Sequence, residues 1–271
     1  LAQNPNLAPD FVHARSVEEA PGGRKLLVFP DGFRCCTHTS VEETEFIYNE
    51  VVVRQDYLPG GRTLVDAACI LDVGANIGVF TLFAAFRNPR AVIHAFEPIR
   101  ETCEVLQLNV ELNRLAGVRV HNCAVGARNE EKRSFTYYPN MAGNSTAAPE
   151  LKRNQMRVLE GQLGKELTGF LFRAETRYAP VTTLSAFLER NAVTAVDFLK
   201  IDVEGDELAV LRGLDRKDAF RIRNLAVETH TPQLAEEVRA ELEGMGLKIV
   251  SESGMPALPD VRNIFAVHDG K

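Results

Sequence analysis

Long apolar runs are missing from this chain. The longest, Val79 to Phe86, is eight residues and includes Thr81, far short of the roughly 18 that cross a bilayer. No hydrophobic leader region opens it. Basic excess is missing too: 31 lysines and arginines face 37 aspartates and glutamates, a net charge of −6. That balance argues against a general affinity for nucleic acid or an anionic membrane, so neither is expected as a partner. The third absence is paired-cysteine spacing. Cys35, Cys36, Cys69, Cys103 and Cys123 are odd in number, form no CxxC and do not cluster with histidines. The pattern argues against a disulfide framework or a zinc site, and a reducing cytoplasm is the expected home. Internal repeats and low-complexity tracts are also lacking.

What is present is an ordinary globular composition, 45% hydrophobic and 25% charged, which excludes wholesale disorder. Its 271 residues allow one large domain or one domain with an appendage. The division expected is residues 1–66 as an N-terminal arm, hairpin and helix capping a site, and 67–271 as the catalytic domain. The opening residue is Leu1 rather than Met, which points to something removed upstream, a tag or the rest of a longer protein.

Residues 1–23 are rich in Asn, Pro and Gly and read as an arm or linker. Lys25 to Phe29, the Asp31-Gly32 turn and Phe33 to His38 read as a hairpin. Ser40 followed by Glu43 fits a capping box opening a helix. Then buried strands alternate with helices. Cys69 to Val73, Ala91 to Phe96, Val118 to Cys123, Val196 to Ile201 and Ile222 to Val227 are the strands. Val79 to Phe86, Pro98 to Arg114, Asp206 to Arg212 and Gln233 to Gly244 are the helices. Val181 to Asn191 reads as a strand end and helix, and Leu247 to Val250 and Asn263 to Val267 as terminal strands. The alternation predicts an α/β fold with a parallel sheet, helices on both faces, and a ligand beyond the carboxyl ends of the strands. Leu151 to Thr176 looks helical and, within an insertion at about 139–180, reads as a substrate lid or a solvated decoration.

Every chemical motif falls at a strand's carboxyl end. Asp72-Val-Gly-Ala-Asn-Ile-Gly78 is a glycine loop between strand and helix. Gly74 and Gly78 allow a sharp turn and the close approach of a ligand. A dinucleotide fingerprint counted from Gly74 needs glycine where this chain has Asn76 and Val79. Glu97, 25 residues after Asp72, can accept two charge-assisted hydrogen bonds from a ribose diol. NAD folds carry such a carboxylate as well. Asn122-Cys-Ala-Val-Gly126 ends the third strand and would border an adenine, or be a plain strand end. Lys200, Asp202 and Glu204 alternate where the fourth strand leaves the sheet. Charges there are costly unless solvated, paired or functional, and a structural lysine–carboxylate pair is the plainer reading. Glu228 and His230 end the next strand and would overlook the same cleft as Asp202.

Taken in order, these pieces resemble the FkbM family of S-adenosylmethionine-dependent methyltransferases. The matching pieces are Glu43-Thr-Glu-Phe46 with Tyr48 and Glu50, DVGANIG at 72–78, FEP at 96–98, NCAVG at 122–126, GNS at 143–145, VTTLSAF at 181–187, LKIDVEGDELAVLRG at 199–213 and VETH at 227–230. They span roughly residues 40–268. The FTLF run and the FTYYP segment are similar to members of polyketide and nonribosomal-peptide pathways, including domains embedded in megasynthases. The family often has TLD where this chain has Thr183-Leu184-Ser185, which argues against a direct role at 185.

The resemblance implies a Rossmann-like class I methyltransferase, with S-adenosylmethionine as methyl donor and S-adenosylhomocysteine as product. It implies O-methylation of a hydroxyl on a small-molecule or carrier-bound natural-product intermediate. Cofactor contacts are expected from Asp72, Gly74, Ala75, Asn76 and Gly78, from Glu97 and Pro98, and from Asn122, Cys123 and Ala124. His230 is the expected base, neutral at working pH with a reference pKa near roughly 6.5. Asp202 orients it and Glu204 contacts substrate or cofactor. A divalent metal on Asp202, Glu228 and His230 is a further option. An NAD-linked oxidoreductase and a non-catalytic S-adenosylmethionine-binding domain are the rival readings.

Overall fold

The computed structural model describes residues 10–255 and 258–268. It opens with β1 (Ser16–Ala20), β2 (Arg24–Val28) and β3 (Arg34–Thr37), an antiparallel sheet in that order. The expected hairpin joins β2 and β3, with Asp31 Oδ1 accepting the Phe33 N–H. β1 corrects the reading of residues 1–23 as an arm; the first nine lie outside the described residues. Ser-Val-Glu-Glu-Ala pairs at a sheet edge with Val17 exposed, so no hydrophobic pattern advertises it. α1 (Val41–Tyr48) begins where the capping pattern expects, the Ser40 hydroxyl accepting the Glu43 N–H. It runs on into a wide π-helical turn, Asn49–Arg54.

The chain then alternates through β4 (Cys69–Val73), α2 (Val79–Arg87), β5 (Val92–Phe96), α3 (Arg100–Leu112) and β6 (Val118–His121). β7 (Ala124–Val125), β8 (Glu130–Tyr137), α4 (Lys152–Leu163), α5 (Lys165–Leu171), β9 (Glu175–Thr182) and α6 (Leu184–Arg190) follow. The last run is β10 (Phe198–Ile201), α7 (Glu207–Arg212), α8 (Arg216–Ala219), β11 (Asn224–Thr229), α9 (Pro232–Gly244), β12 (Leu247–Met255) and β13 (Leu258–His268).

Among the described residues, seven strands make the main sheet in the order β12-β13-β11-β10-β4-β5-β6. From β11 to β6 neighbours are parallel, as alternation with helices requires. β13 is antiparallel to both its neighbours, which corrects the all-parallel expectation. Two residues separate β12 from β13, too few for the crossover that a parallel pair needs. Helices cover both faces of the sheet over two apolar cores, one around Ile70, Leu82 and Leu106, the other around Leu71, Leu199 and Val227. Strand order reverses between β4 and β10, and ligands in open α/β sheets bind at such a switch point.

Two further elements differ from expectation. The helical reading of Leu151 to Thr176 holds only to Leu171. Glu175–Thr182 is a strand in a second sheet, β7-β9-β8, because Ala179 and Val181 turn alternately into a small core with Phe135 and Tyr137. The helix expected from Pro98 begins at Arg100. Glu97 Oε1 accepts the Ile99 N–H at 2.8 Å, so residues 97–99 wrap the carboxylate before helical geometry starts. Among the described residues no helix is long and apolar enough to cross a membrane.

Candidate active site

A cavity of about 430 Å³ opens at the carboxyl ends of β4, β5, β10 and β11. Its floor is the strand-end loops. One wall is α1 with the π-helical turn, and the other comes from residues 141–162.

The glycine loop turns through the left-handed region at Gly74, Asn76 and Gly78, with φ of 79°, 51° and 94°. A Cβ on Gly74 would lie 1.7 Å from the Asp202 carbonyl oxygen, and one on Gly78 would lie 2.4 Å from Leu106 Cδ1. Both glycines are thus required by the neighbouring strand and helix as well as by the turn. Gly74, Ala75 and Asn76 line the cavity, whereas Gly78 and Asp72 do not. Asp72 is fully buried, accepts from the Thr81 hydroxyl and faces Lys200 Nζ at 3.3 Å. Lys200 also donates to the Gly74 carbonyl at 2.8 Å and stands 3.4 Å from Asp202 Oδ2. Burial works against its charge, but Asp72, Asp202 and Glu228 outweigh that and hold it protonated. Lys200 is therefore the structural pair that the sequence admitted.

Glu97 lines the cavity beside Pro98. Its Oε2 accepts the Asn76 N–H at 3.0 Å, so the carboxylate also braces the glycine loop. Burial pushes its pKa up to about 7 against the pull of its two backbone N–H donors. Each oxygen keeps a second lone pair for a diol. Cys123 and Ala124 reach the cavity and Asn122 does not. The Asn122 amide is spent on the carbonyls of Glu97 and Pro98, at 2.9 and 3.1 Å, and ties the end of β6 to the end of β5.

His230 meets the two expected partners and one more. Its Nε2 lies 3.6 Å from Asp202 Oδ1 and 3.5 Å from Glu207 Oε1, and its Nδ1 lies 3.6 Å from Glu204 Oε2. Burial disfavours the imidazolium, but Glu204, Asp202 and Glu207 overcome it and push the pKa up to about 10. The ring is thus held charged at neutral pH, not neutral as the reference value suggested. Three converging carboxylates are the reason.

Two participants, Tyr57 and Lys152, carried no signal in the sequence, and a third, Glu50, was marked only by the family resemblance. The Tyr57 hydroxyl bridges Asp202 Oδ2 at 3.0 Å and Glu228 Oε2 at 3.1 Å from 145 and 171 residues away. Glu50, from the π-helical turn, is buried next to Glu228, and burial together with that like charge holds its carboxyl well above the usual range. Lys152 of α4 is buried, pairs with Glu204 and donates to Asn144 Oδ1 at 3.2 Å. Ser185, by contrast, sits apart: its hydroxyl bonds Asp218 and the Asp215 N–H.

Glu228 supplies a stability test. Burial, with Asp202 adding to it, pushes its pKa from 4.5 up to about 8. The folded chain then binds this proton more tightly than the unfolded chain does. Its contribution is fully present below pH 4.5 and is lost as pH rises through about 8. Glu228→Gln removes that loss. Its melting temperature should gain on the wild type between pH 5 and pH 9, by roughly 2–4 °C per kcal/mol relieved. A constant difference across that range would contradict the assignment.

A Rossmann-like sheet with a glycine loop, a carboxylate at the next strand end and an acid–base cluster across the switch point is the arrangement expected of a class I S-adenosylmethionine-dependent methyltransferase. The family profile described as "Methyltransferase FkbM domain" matches residues 72–249, and the chain belongs to the FkbM methyltransferase family. It is 35% identical over 222 residues to Methyltransferase 1 of Beauveria bassiana, covering 81% of this chain and 87% of that one. It is 34% identical over 239 residues to the 31-O-demethyl-FK506 methyltransferase FkbM of Streptomyces tacrolimicus, covering 84% and 90%. It is 32% identical over 265 residues to the AMB antimetabolite synthetase AmbE of Pseudomonas aeruginosa, covering 89% of this chain and 12% of that protein. The oxidoreductase reading falls with this membership.

Proposed function

We propose that this methyltransferase acts on a hydroxyl oxygen of a natural-product intermediate, either a small molecule or one tethered to a carrier. The observation that carries the reading is the ring of Asp202, Glu204 and Glu207 around His230 at the cavity floor. An alcohol holds its proton too tightly to attack unaided at neutral pH, so an acid–base group must stand where the methyl is delivered. The name of the 31-O-demethyl-FK506 methyltransferase supports an oxygen acceptor, the match to only 12% of the antimetabolite synthetase supports a setting within a longer protein, and the polyketide or peptide acceptor is what the family resemblance implies. Nucleic acid and membrane stay outside the reading, and the odd, unclustered cysteines favour the cytoplasm.

The cavity fits the donor. Glu97 offers lone pairs to a ribose diol, and two further lining residues, Glu43 and Asn76, each hold a buried acceptor without a partner, Oε2 and Oδ1. S-adenosylmethionine supplies the electrophilic methyl on a sulfonium, and S-adenosylhomocysteine is left. Beside the charge of a bound sulfonium, His230 would give up its extra proton more readily. The neutral ring accepts the hydroxyl proton as the oxygen attacks in line. Asp202 orients the ring and stabilises the imidazolium that forms, and Glu204 faces the other nitrogen. Lys152 fixes Glu204 from α4, so the 141–162 wall serves as the lid over the acceptor.

A second reading places a divalent metal on Asp202, Glu228 and His230. One ligand atom of each lies within 4.8 Å of the others, and Asp202 Oδ1 and His230 Nε2 make no hydrogen bond. A bound metal would act as a Lewis acid on the acceptor oxygen.

The test uses S-adenosylmethionine labelled with ¹³C in the methyl group and a panel of hydroxylated polyketide and peptide intermediates. A product carbon resonating as a methoxy group is the expected result. An N-methyl or C-methyl product overturns the proposal. A chelator that abolishes turnover, with recovery on Mg²⁺, favours the second reading.

A further inference from the structure

Lys200 limits what the glycine loop can offer the amino-acid arm of a cofactor. Its Nζ occupies the Gly74 carbonyl oxygen, and a buried cation therefore stands behind that acceptor. An α-ammonium arriving at the loop meets the repulsion of that cation, and a carboxylate would hold it better than the carbonyl's remaining lone pair. Glu43 of α1 is only 8% exposed. Its Oε1 accepts the Gly143 N–H at 2.9 Å. The Thr39 hydroxyl and the Ala142 N–H face the same carboxyl, while Oε2 is buried with no hydrogen bond. Asn76 Oδ1 is buried without one as well. The two side chains flank Gly143, where a Cβ would lie 3.0 Å from Glu43 Oε1 and 3.2 Å from Asn76 Nδ2. All three residues line the cavity.

Strand order decides which end of the cofactor comes here. Glu97 ends β5, and Cys123 and Ala124 follow β6, so the nucleoside lies on that side. Asp202 and His230 end β10 and β11, so the reacting methyl lies on the other. The methionyl arm leaves the sulfur between them and runs along the loop, beneath α1 and the 141–145 turn. We propose that Glu43, with Asn76 beside it, holds the α-ammonium of that arm. The inference rests on the S-adenosylmethionine reading of the cavity. Burial pushes the Glu43 carboxyl up to about 7, so an arriving ammonium draws it into the charged form. Through Gly143, the same carboxylate couples the arm to the turn that precedes the lid.

Calorimetry with S-adenosylhomocysteine and 5′-methylthioadenosine separates the arm from the nucleoside, because the second ligand lacks the amino acid. Glu43→Gln keeps the shape and an oxygen for the Gly143 N–H. It should weaken S-adenosylhomocysteine by at least about tenfold, the scale of a lost hydrogen bond to a charged group, and leave 5′-methylthioadenosine nearly unmoved. Glu43→Asp, which keeps the charge with a shorter reach, should fall between. Equal losses for the two ligands, or none, overturn the inference. Should the glutamine variant fail to fold, the wild type is titrated with desamino-S-adenosylhomocysteine, and affinity equal to that of the parent compound overturns it. A wild type that binds neither parent ligand overturns the cofactor reading and this inference with it. Binding of 5′-methylthioadenosine with no further gain from the arm overturns this inference alone.

Discussion

Replacing His230 by alanine should lower kcat by about 10²–10⁴-fold, the usual contribution of a positioned base. Affinity for S-adenosylhomocysteine should change little, because His230 ends β11, on the far side of the switch point from Glu97 and the nucleoside end. The pH profile makes the test sharper. A base works in its deprotonated form, so the wild-type rate should rise with pH. The carboxylates around the ring raise its pKa, which places that rise above the roughly 6.5 of a free imidazole. Glu204→Gln removes one of those carboxylates and should move the rise to lower pH. His230→Ala should lose it. Under metal assistance, added Mg²⁺ competes with the imidazole proton and moves the rise to lower pH in the wild type. Near-normal turnover by His230→Ala would shift the base to a carboxylate. Glu228 is then the first candidate, since a pKa of about 8 suits proton transfer near neutrality.

The strand ends were legible in the sequence for a definite reason. A buried parallel strand is a short apolar run, and a polar residue that breaks it marks the point where the chain leaves the sheet. Asp202 and His230 stand out in this way, and their meeting follows from β10 and β11 being neighbours. The same logic placed Glu97 beside the glycine loop. Contacts made by elements outside the sheet were not legible. Tyr57, Glu50 and Lys152 lie in segments whose local pattern fixes no position relative to β10, and only the folded chain brings them within reach of Asp202, Glu228 and Glu204. Charge state was hidden for the same reason. A histidine read alone has its reference pKa, and it took three carboxylates, two from the loop after β10 and one from the α7 that follows it, to hold the ring protonated. Asn122 shows the converse: its motif was visible, but its amide is used to join two strand ends.

Glu97→Ala should weaken S-adenosylhomocysteine by at least about tenfold and up to about 10⁴-fold. The loss expected is one or two charge-assisted hydrogen bonds to the ribose, at about 1.5–3 kcal/mol each. The structure adds a second consequence. Glu97 also accepts the Asn76 and Ile99 N–H groups, so alanine leaves both without a partner and loosens the loop beneath the cofactor. Removing the carboxylate relieves a buried charge whose pKa is already raised, and this offsets part of that cost to the fold. Calorimetry alone therefore mixes two effects, lost ribose contact and lost loop order. A ligand change separates them. The 2′,3′-dideoxy analogue of S-adenosylhomocysteine should bind the wild type at least about tenfold more weakly than the parent compound. In Glu97→Ala, parent and analogue should bind nearly alike, because the acceptor that told them apart is gone. If the variant is folded and still prefers the parent by the wild-type margin, the ribose is held by another group. Glu97 would then serve only to brace the glycine loop.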